Sequence, residues 1–392
     1  MKKRIVHVLH HSPSLLHDEP LAALLERACW HIEVARQQQR YWDDVEIECW
    51  TPERRVATAI RREQRGVPNV LFPSYALGYQ RELSPGLFDH LEYNLGRISA
   101  LFLHGSVSYF STLLLRRFGR KLPIIVQNHG ETSTLGRCAD PGVKKPLDYR
   151  FRVSLEQSAF SRAQRILCLT SANVADYRLN GVSPSRLRIS TMGVDSAMFR
   201  PLAEAKYALR RALGLPQTRV LLGFVGRLSG EKRVDRILQL LRELPRDVGL
   251  VIVGDGPLRA ALAREAAEFG PRVHFAGCVN HGEILNRIYN SLDLLVLPSE
   301  REGFPMVVVE ALAAGTAVVA TDLPGTRALL EDGVCGELSG ERGLQDAIRN
   351  ALERTYRRER LRERALRYSW QSVCEQHAEL LREIGKPRAR VA

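Results

Sequence analysis

The chain has 392 residues, enough for two domains of about 150–200 residues each. Its formal charge of +13 is concentrated in residues 1–200, which hold 28 Lys and Arg against 19 Asp and Glu; the remainder holds 29 against 25. Such an excess favours an anionic partner, and with no nucleic-acid module in the chain, a membrane surface or a phosphorylated substrate ranks ahead of nucleic acid.

The opening Met1-Lys-Lys-Arg-Ile-Val-His-Val-Leu-His-His has too short an apolar run for a signal peptide and reads as a first buried strand, Arg4–Leu9. A helical period follows over Leu21–Gln39, then a strand at Val45–Trp50. Thr51-Pro52-Glu53 reads as the cap of a basic helix running to Gln64 and stopped by Gly66. That helix could rest on anionic lipid or simply be a solvated face. Strands are expected at Asn69–Phe72, Ile98–Leu103, Pro123–Gln127, Arg165–Thr170 and Arg188–Thr191. The most apolar stretch, Ala100–Leu115, is broken by His104, Gly105 and three serines, so no membrane-spanning helix is expected. Seven cysteines without a Cys-x-x-Cys pair suggest reduced thiols in a cytoplasmic setting and argue against zinc.

Turn residues at Met192–Pro201 interrupt the alternation, which then restarts. The second series of strands is Val220–Val225, Gly249–Val253, Val273–Phe275, Leu292–Leu297, Thr316–Ala320 and Gly336–Leu338. The reading is α/β, with a doubly wound sheet in each half and a cleft between halves. The domains are expected at 1–197 and 198–366. Residues 367–392 form a closing helix and tail that packs across both through Tyr368, Trp370, Val373 and His377.

Three places carry chemistry. Gly223-Phe-Val-Gly-Arg-Leu-Ser-Gly-Glu-Lys232 joins a strand to a helix and brings Arg227 and Lys232 to a glycine-rich loop without the Walker signature. Gly254-Asp-Gly-Pro lacks the third glycine of a dinucleotide fingerprint and reads as a tight turn. Pro298–Gly315 reads as acidic loop and helix, with Glu302 and Glu310 eight residues apart and about 80° apart around a helix axis. The amides of Phe304, Met306, Val307 and Val308 open that helix, where a phosphate is readily seated. Taken alone, the stretch fits an ordinary buried βαβ unit better than a site. His104-Gly105 and His129-Gly130 each close a first-half strand, the edge where α/β sites form. No Asp-x-Asp offers a ligand pair for a metal on a diphosphate.

Together these pieces resemble the retaining glycosyltransferases of the GT-B fold, glycosyltransferase family 4 (group 1), over nearly the whole chain. The matching residues are His129-Gly130, Gly193-Val-Asp195, Gly226–Lys232, Gly254–Pro257, Phe275-Ala-Gly277, Tyr289–Asp293 and Pro298 to Glu310. The resemblance implies two Rossmann-like domains facing across a cleft and a nucleotide-diphosphate sugar, such as a UDP- or GDP-sugar, on the second. Arg227 and Lys232 would neutralise the leaving diphosphate without a metal or other cofactor. Glu302 would hold sugar hydroxyls, Gly303, Phe304, Met306 and Val307 would meet sugar and phosphate, Glu310 would hold the ribose, and the base would lie near Val279. His129 would stand near the reacting sugar, with a glycan, lipid-linked or other hydroxyl acceptor in the first domain. The basic first half offers a peripheral contact to the cytoplasmic membrane face. Three departures stand out: His10–His17 replaces the usual Gly-Gly loop, Arg233 replaces a glycine, and Ala328 replaces a frequent glutamate. A sugar-nucleotide epimerase or hydrolase, and a catalytically silent sugar-nucleotide-binding subunit, are the alternatives.

Overall fold

The structure, a computed structural model, describes residues 3–9, 21, 30–76, 82–139, 144, 147–330, 333–340 and 343–385. The expected loop His10–His17, part of the first helix and the tail after Gly385 lie outside the described residues. The chain divides into two compact units, Met1–Met192 with Val373–Ala392, and Gly193–Ser372.

In the first domain the strands are β1 Lys3–Leu9, β2 Val45–Glu53, β3 Ile60–Gln64, β4 Val67–Pro73, β5 Tyr75–Ala76, β6 Glu82–Leu83, β7 Ala100–His104, β8 Ile124–Gln127, β9 Arg165–Cys168 and β10 Leu187–Ile189. Eight of them form one sheet in the order β10-β9-β8-β7-β1-β2-β4-β3, parallel except for the β3–β4 hairpin; β5 and β6 pair by themselves. The central strands β7 and β8 are nearly continuous apolar runs with every residue buried, as a parallel sheet covered on both faces requires. Val6, Val8, Leu101, Leu103, Ile124, Val126 and Ile166 from the sheet meet Phe110, Leu114, Phe118 and Phe160 from helices in one buried cluster.

The basic helix expected to end at Gln64 does not form. β2 runs on through Glu53, and Ile60–Gln64 is a strand antiparallel to β4, with Ile60 opposite Leu71 and Gln64 opposite Val67. Arg65 (φ 51°) and Gly66 (φ 82°) are the two left-handed residues of the hairpin turn, so Gly66 ends a strand rather than a helix. Buried Gln64 accepts a hydrogen bond from Asn69 Nδ2 at 2.8 Å, which holds the register. The amphipathic helix that suggested a lipid surface is therefore absent.

The second domain carries β11 Val220–Val225, β12 Val248–Val253, β13 Val273–Gly277, β14 Leu294–Leu297, β15 Ala317–Thr321 and β16 Gly336–Ser339. All neighbours are parallel, in the order β13-β12-β11-β14-β15-β16. Leu222, Phe224, Leu250, Ile252, Leu295, Val318 and Val319 are fully buried in it. The order reverses between β11 and β14, and in the first domain between β1 and β7. Loops that leave adjacent strands toward opposite faces at such a point open a crevice at the carboxyl edge of the sheet.

The last helix, Trp370–Gly385, starts in the second domain, where a Cβ on Gly193 would lie 2.4 Å from the Trp370 ring. From Val373 onward it belongs to the first domain, where Val373, Cys374, His377 and Leu380 are buried. Among the described residues no helix is long and apolar enough to cross a membrane.

Candidate functional site

Five loops leave the carboxyl edge of the second sheet, after β11, β12, β13, β14 and β15. The loop after β11 carries Arg227 and Lys232 and ends at Arg233, whose left-handed conformation (φ 49°) starts the helix Val234–Glu243. The loop after β12, Gly254-Asp-Gly256, is its buttress. Leu228 N–H donates to Asp255 O at 2.9 Å, and Leu258 N–H donates to Leu228 O at 3.0 Å. A Cβ on Gly254 would fall 1.9 Å from Gly226 O, so only glycine lets the two backbones meet. What the sequence offered as a weak turn signal is the support that shapes the cationic loop.

Lys232 reaches across the β11–β14 switch point. Its Nζ donates to Glu302 Oε1 at 2.7 Å, both side chains being largely shielded. Next to them Arg233 pairs with Glu300, and Glu300 N–H donates to Glu231 O at 2.8 Å, which ties the two loops together. Arg227 is exposed and, among the described residues, makes no ion pair, so it is the cation most ready to meet a ligand anion.

The helix after β14 spans Met306–Ala313, with Pro305 as its N-cap residue and no side chain capping its first amides. Glu302 thus stands in the loop, four residues before the helix, and the helical-wheel reasoning that joined it to Glu310 does not apply. Their settings differ accordingly. Glu310 is 3% exposed and is the only ionisable residue of an otherwise apolar helix. Its Oε2 accepts from the Tyr289 hydroxyl at 2.8 Å and its Oε1 lies 3.0 Å from His281 Nε2. Burial and the adjacent carboxylate push the Tyr289 hydroxyl well above its usual pKa, so it stays a donor. Gly303 and Phe304 lie between the two glutamates. Gly303 O would be 2.1 Å from a Cβ on Gly325, so the start of the helix Pro324–Leu330 lies directly against this loop. Phe304 packs against Tyr368 with ring centroids 5.3 Å apart. Val279 is half-buried just after β13, beside Gly277, whose carbonyl accepts from Gly254 N–H at 2.7 Å. The second-domain residues expected in the site, Val279 included, thus stand on the carboxyl-edge loops or on the helix that follows them.

His129 belongs to the first domain, where it follows β8 and lies 3.0 Å, Nε2 to Nδ1, from His104 at the end of β7. The two rings stack at 5.2 Å. Asn128 holds the turn, its Oδ1 accepting from Gly130 N–H at 2.8 Å.

Sequence reasoning missed the role of His281 and that of Arg259. The latter stacks over Phe275 at 5.8 Å, with a buried Nη1 that has no hydrogen-bond partner beside the β13 loop. His281 sits in no motif and Arg259 only closes the weak Gly254–Arg259 turn run; their nearness to Glu310 and Gly277 in the fold marks them.

Two family models match the chain, Glycosyl transferases group 1 over residues 206–369 and Glycosyl transferase 4-like domain over residues 19–193. The chain belongs to the group 1 glycosyltransferases. This group 1 chain is 32% identical over 249 residues, 58% of its length, to a D-inositol 3-phosphate glycosyltransferase of Corynebacterium urealyticum. The match spans 59% of that relative's length. Its fold is that of a sucrose-phosphate synthase from Thermosynechococcus elongatus (TM-score 0.70, 18% identity, covering 98% of this chain and 99% of that one). It is also that of the Anabaena protein HepE solved with UDP-glucose (TM-score 0.68, 17% identity, covering 97% and 99%). The fold is GT-B, with two Rossmann-like domains.

Proposed function

We propose that this chain is a retaining glycosyltransferase that moves a hexose-type sugar from a nucleotide-diphosphate sugar to a hydroxyl acceptor. The observation that carries the reading is the β11–β14 switch point, where Lys232 pairs with a loop carboxylate, Arg227 stands exposed on the same loop, and the helix after β14 starts without a side-chain cap. Cleavage of the bond between the sugar and the diphosphate leaves negative charge on the departing phosphate oxygen. Cations and amides already fixed in place stabilise that charge without reorganising, which lowers the barrier directly. In this reading Arg227 and Lys232 take the diphosphate, in the role a metal fills elsewhere. Amides of Gly303, Phe304, Met306 and Val307 meet sugar and phosphate. Glu302, shared with Lys232, turns its other oxygen to sugar hydroxyls.

Glu310 is assigned to the ribose. A ribose diol donates two hydrogen bonds to one carboxylate, and Tyr289 and His281 keep that carboxylate in place for them. The base lies along Val279. His129 is assigned to the reacting sugar. An acceptor hydroxyl on a phosphorylated polyol is the first to try, since the Corynebacterium relative is named for one and the first domain carries the excess positive charge.

The test begins with thermal shift of the purified chain against UDP-, GDP- and ADP-sugars, because a ligand that binds only the folded state raises its apparent stability. Transfer to inositol phosphates and to simple glycosides is then followed by mass spectrometry, with and without a chelator, and the product's anomeric coupling is read by NMR. Binding followed by acceptor-dependent transfer with retained configuration is expected. Release or epimerisation of the sugar without acceptor would move the assignment to a hydrolase or epimerase. Binding without any turnover would leave a sugar-nucleotide-binding subunit.

A further inference from the structure

The first domain contains a file of imidazoles, half-buried at one end and buried beyond it, that the transfer chemistry does not explain. It starts at His129 and runs inward across the β1–β7 switch point. His129 Nε2 lies 3.0 Å from His104 Nδ1, and His104 Nε2 lies 2.9 Å from His7 Nδ1. His7 Nε2 lies 2.8 Å from Gln38 Oε1. Gln38 Nε2 continues to His377 Nδ1 at 3.0 Å, and His377 Nε2 reaches Ser190 Oγ at 3.0 Å. His7, Gln38, His104 and His377 are at most 1% exposed. Phe102 flanks the file, stacked on His7 at 4.9 Å and packed against His377 at 5.5 Å. The far end borders a cavity of about 140 Å³ lined by Ser190, His377, Arg188, Glu379 and Glu383.

A neutral imidazole has one N–H and one lone pair, so alone it can be read in either direction. An amide cannot, because its oxygen only accepts and its nitrogen only donates. Gln38 therefore orients the file. Its oxygen faces His7, so the His7 proton is on Nε2 and Nδ1 must accept. His104 then donates from Nε2 and accepts at Nδ1, and His129 in turn donates from Nε2. On the other side the Gln38 N–H meets His377 Nδ1, which puts the His377 proton on Nε2, toward Ser190. Five links share one polarity. Turning the amide over would reverse all five, and no third arrangement of neutral rings satisfies them. Desolvation keeps two of the rings neutral, holding His7 at a pKa of about 3 and His377 at about 4. The amide also stops the file from conducting protons end to end, since it can pass on polarity but cannot readily take up one proton and release another.

We infer that Gln38, His7 and His104 are positioning residues that fix the tautomer of His129, with its proton on Nε2 and its Nδ1 as the acceptor nitrogen. A ring fixed in this way can accept from a sugar or acceptor hydroxyl but cannot donate to it while neutral. The inference rests on the assignment of His129 to the reacting sugar. A ring of indefinite tautomer there would spend part of its time presenting a proton where an acceptor is needed.

The experiment uses the full chain labelled with ¹⁵N-histidine, without ligand, at pH 7.5. Long-range ¹H–¹⁵N correlations separate protonated from unprotonated ring nitrogens. His129 is expected to show a protonated Nε2 and an unprotonated Nδ1, with no averaging. In Gln38→Leu, and separately in His7→Phe, which keeps the stack on Phe102, the His129 signals should become an average of both tautomers. The same variants should lower kcat at least about tenfold with KM for the donor unchanged. A wild-type His129 that already averages, or carries its proton on Nδ1, overturns the inference even if neither variant folds. So does a folded Gln38→Leu with unchanged tautomer and unchanged kcat. Because the tautomer is read without substrate, a fixed Nε2–H tautomer in a chain that transfers no sugar would sink the transferase reading alone.

Discussion

The two domains share one architecture and hold their polar residues in opposite ways. In the second, the switch point is spanned by a charged pair, Lys232 and Glu302, beside an exposed guanidinium. In the first, it is spanned by two fully buried imidazoles, His7 and His104. Partly hydrated charges can exchange one partner for another at modest cost, which suits a site that must accept and release a diphosphate. Buried neutral groups lose much more if a link is left unmade, which suits a fixed geometry. One sheet edge is built to change partners and the other to keep them.

Acid separates the two most sharply. His7 and His377 hold folded pKa values of about 3 and about 4, against an ordinary value near 6.5 in the unfolded chain. Well above pH 6.5 both states are neutral and the rings add no pH dependence. As pH falls from 6.5 toward 4, the unfolded chain gains protons that the folded chain refuses, and stability drops. The slope reaches about 1.4 kcal/mol per pH unit for each ring. Hydrogen exchange at pH 7.5, 6 and 5 should show first-domain amides losing protection while those of β11–β16 keep theirs. Equal losses in both domains would mean that the imidazole file is not the acid-sensitive element.

Lys232→Ala tests the other side. It removes a charge from the leaving group and leaves Glu302 shielded without its partner. We expect kcat to fall about 10²–10³-fold, equivalent to about 3–4 kcal/mol, with little change in melting temperature. A loss below tenfold would take the diphosphate role away from this side chain.

Glycine replacements compare how tightly each edge is built. Gly254→Ala drives a methyl group into Gly226 O at φ +130°, so a loss of about 2–3 kcal/mol and a weakened donor response are expected. Gly130→Ala, beside His129, meets nothing within 4 Å and carries only the strain of φ +94°, about 1 kcal/mol. Urea unfolding of both variants gives the ranking, and a reversed order would show that the two loops bear load differently from the backbone contacts.

The second domain was the more legible of the two in sequence. Arg227, Lys232, Glu302 and Glu310 lie in short motifs at strand ends, where spacing alone predicts a shared edge. The buttress role of Gly254 and the pairing of Glu310 with Tyr289 and His281 were not visible, because each depends on loops from different strands. In the first domain most of the expected strands were readable within two residues, but β2 runs three residues further than expected, β3, β5 and β6 were not foreseen, and the file was hidden. Its links join residues 25, 31, 97 and 339 positions apart, and no local pattern carries that information. The error at Arg54–Gln64 has a local cause. Arg65-Gly66 is equally good as a helix end and as a hairpin turn, and only pairing with Val67–Pro73 decides between them.

Glu310→Gln separates binding from architecture. The amide oxygen still accepts from Tyr289, so the buried hydroxyl keeps a partner. The amide nitrogen, however, faces His281 as a donor, and the negative charge offered to a ribose diol is gone. Hydrogen bonds to a carboxylate exceed those to a neutral acceptor by about 1–1.5 kcal/mol, so donor Kd should rise about tenfold while kcat stays near wild type. Calorimetry with the best donor from the thermal-shift panel, alongside urea unfolding, reads both quantities. A chain that loses stability but binds donor as before would make Glu310 a bolt between Tyr289 and His281. Weakened binding at unchanged stability keeps it as the ribose contact and places the second domain's specificity on a charge that the apolar helix Met306–Ala313 would not otherwise contain.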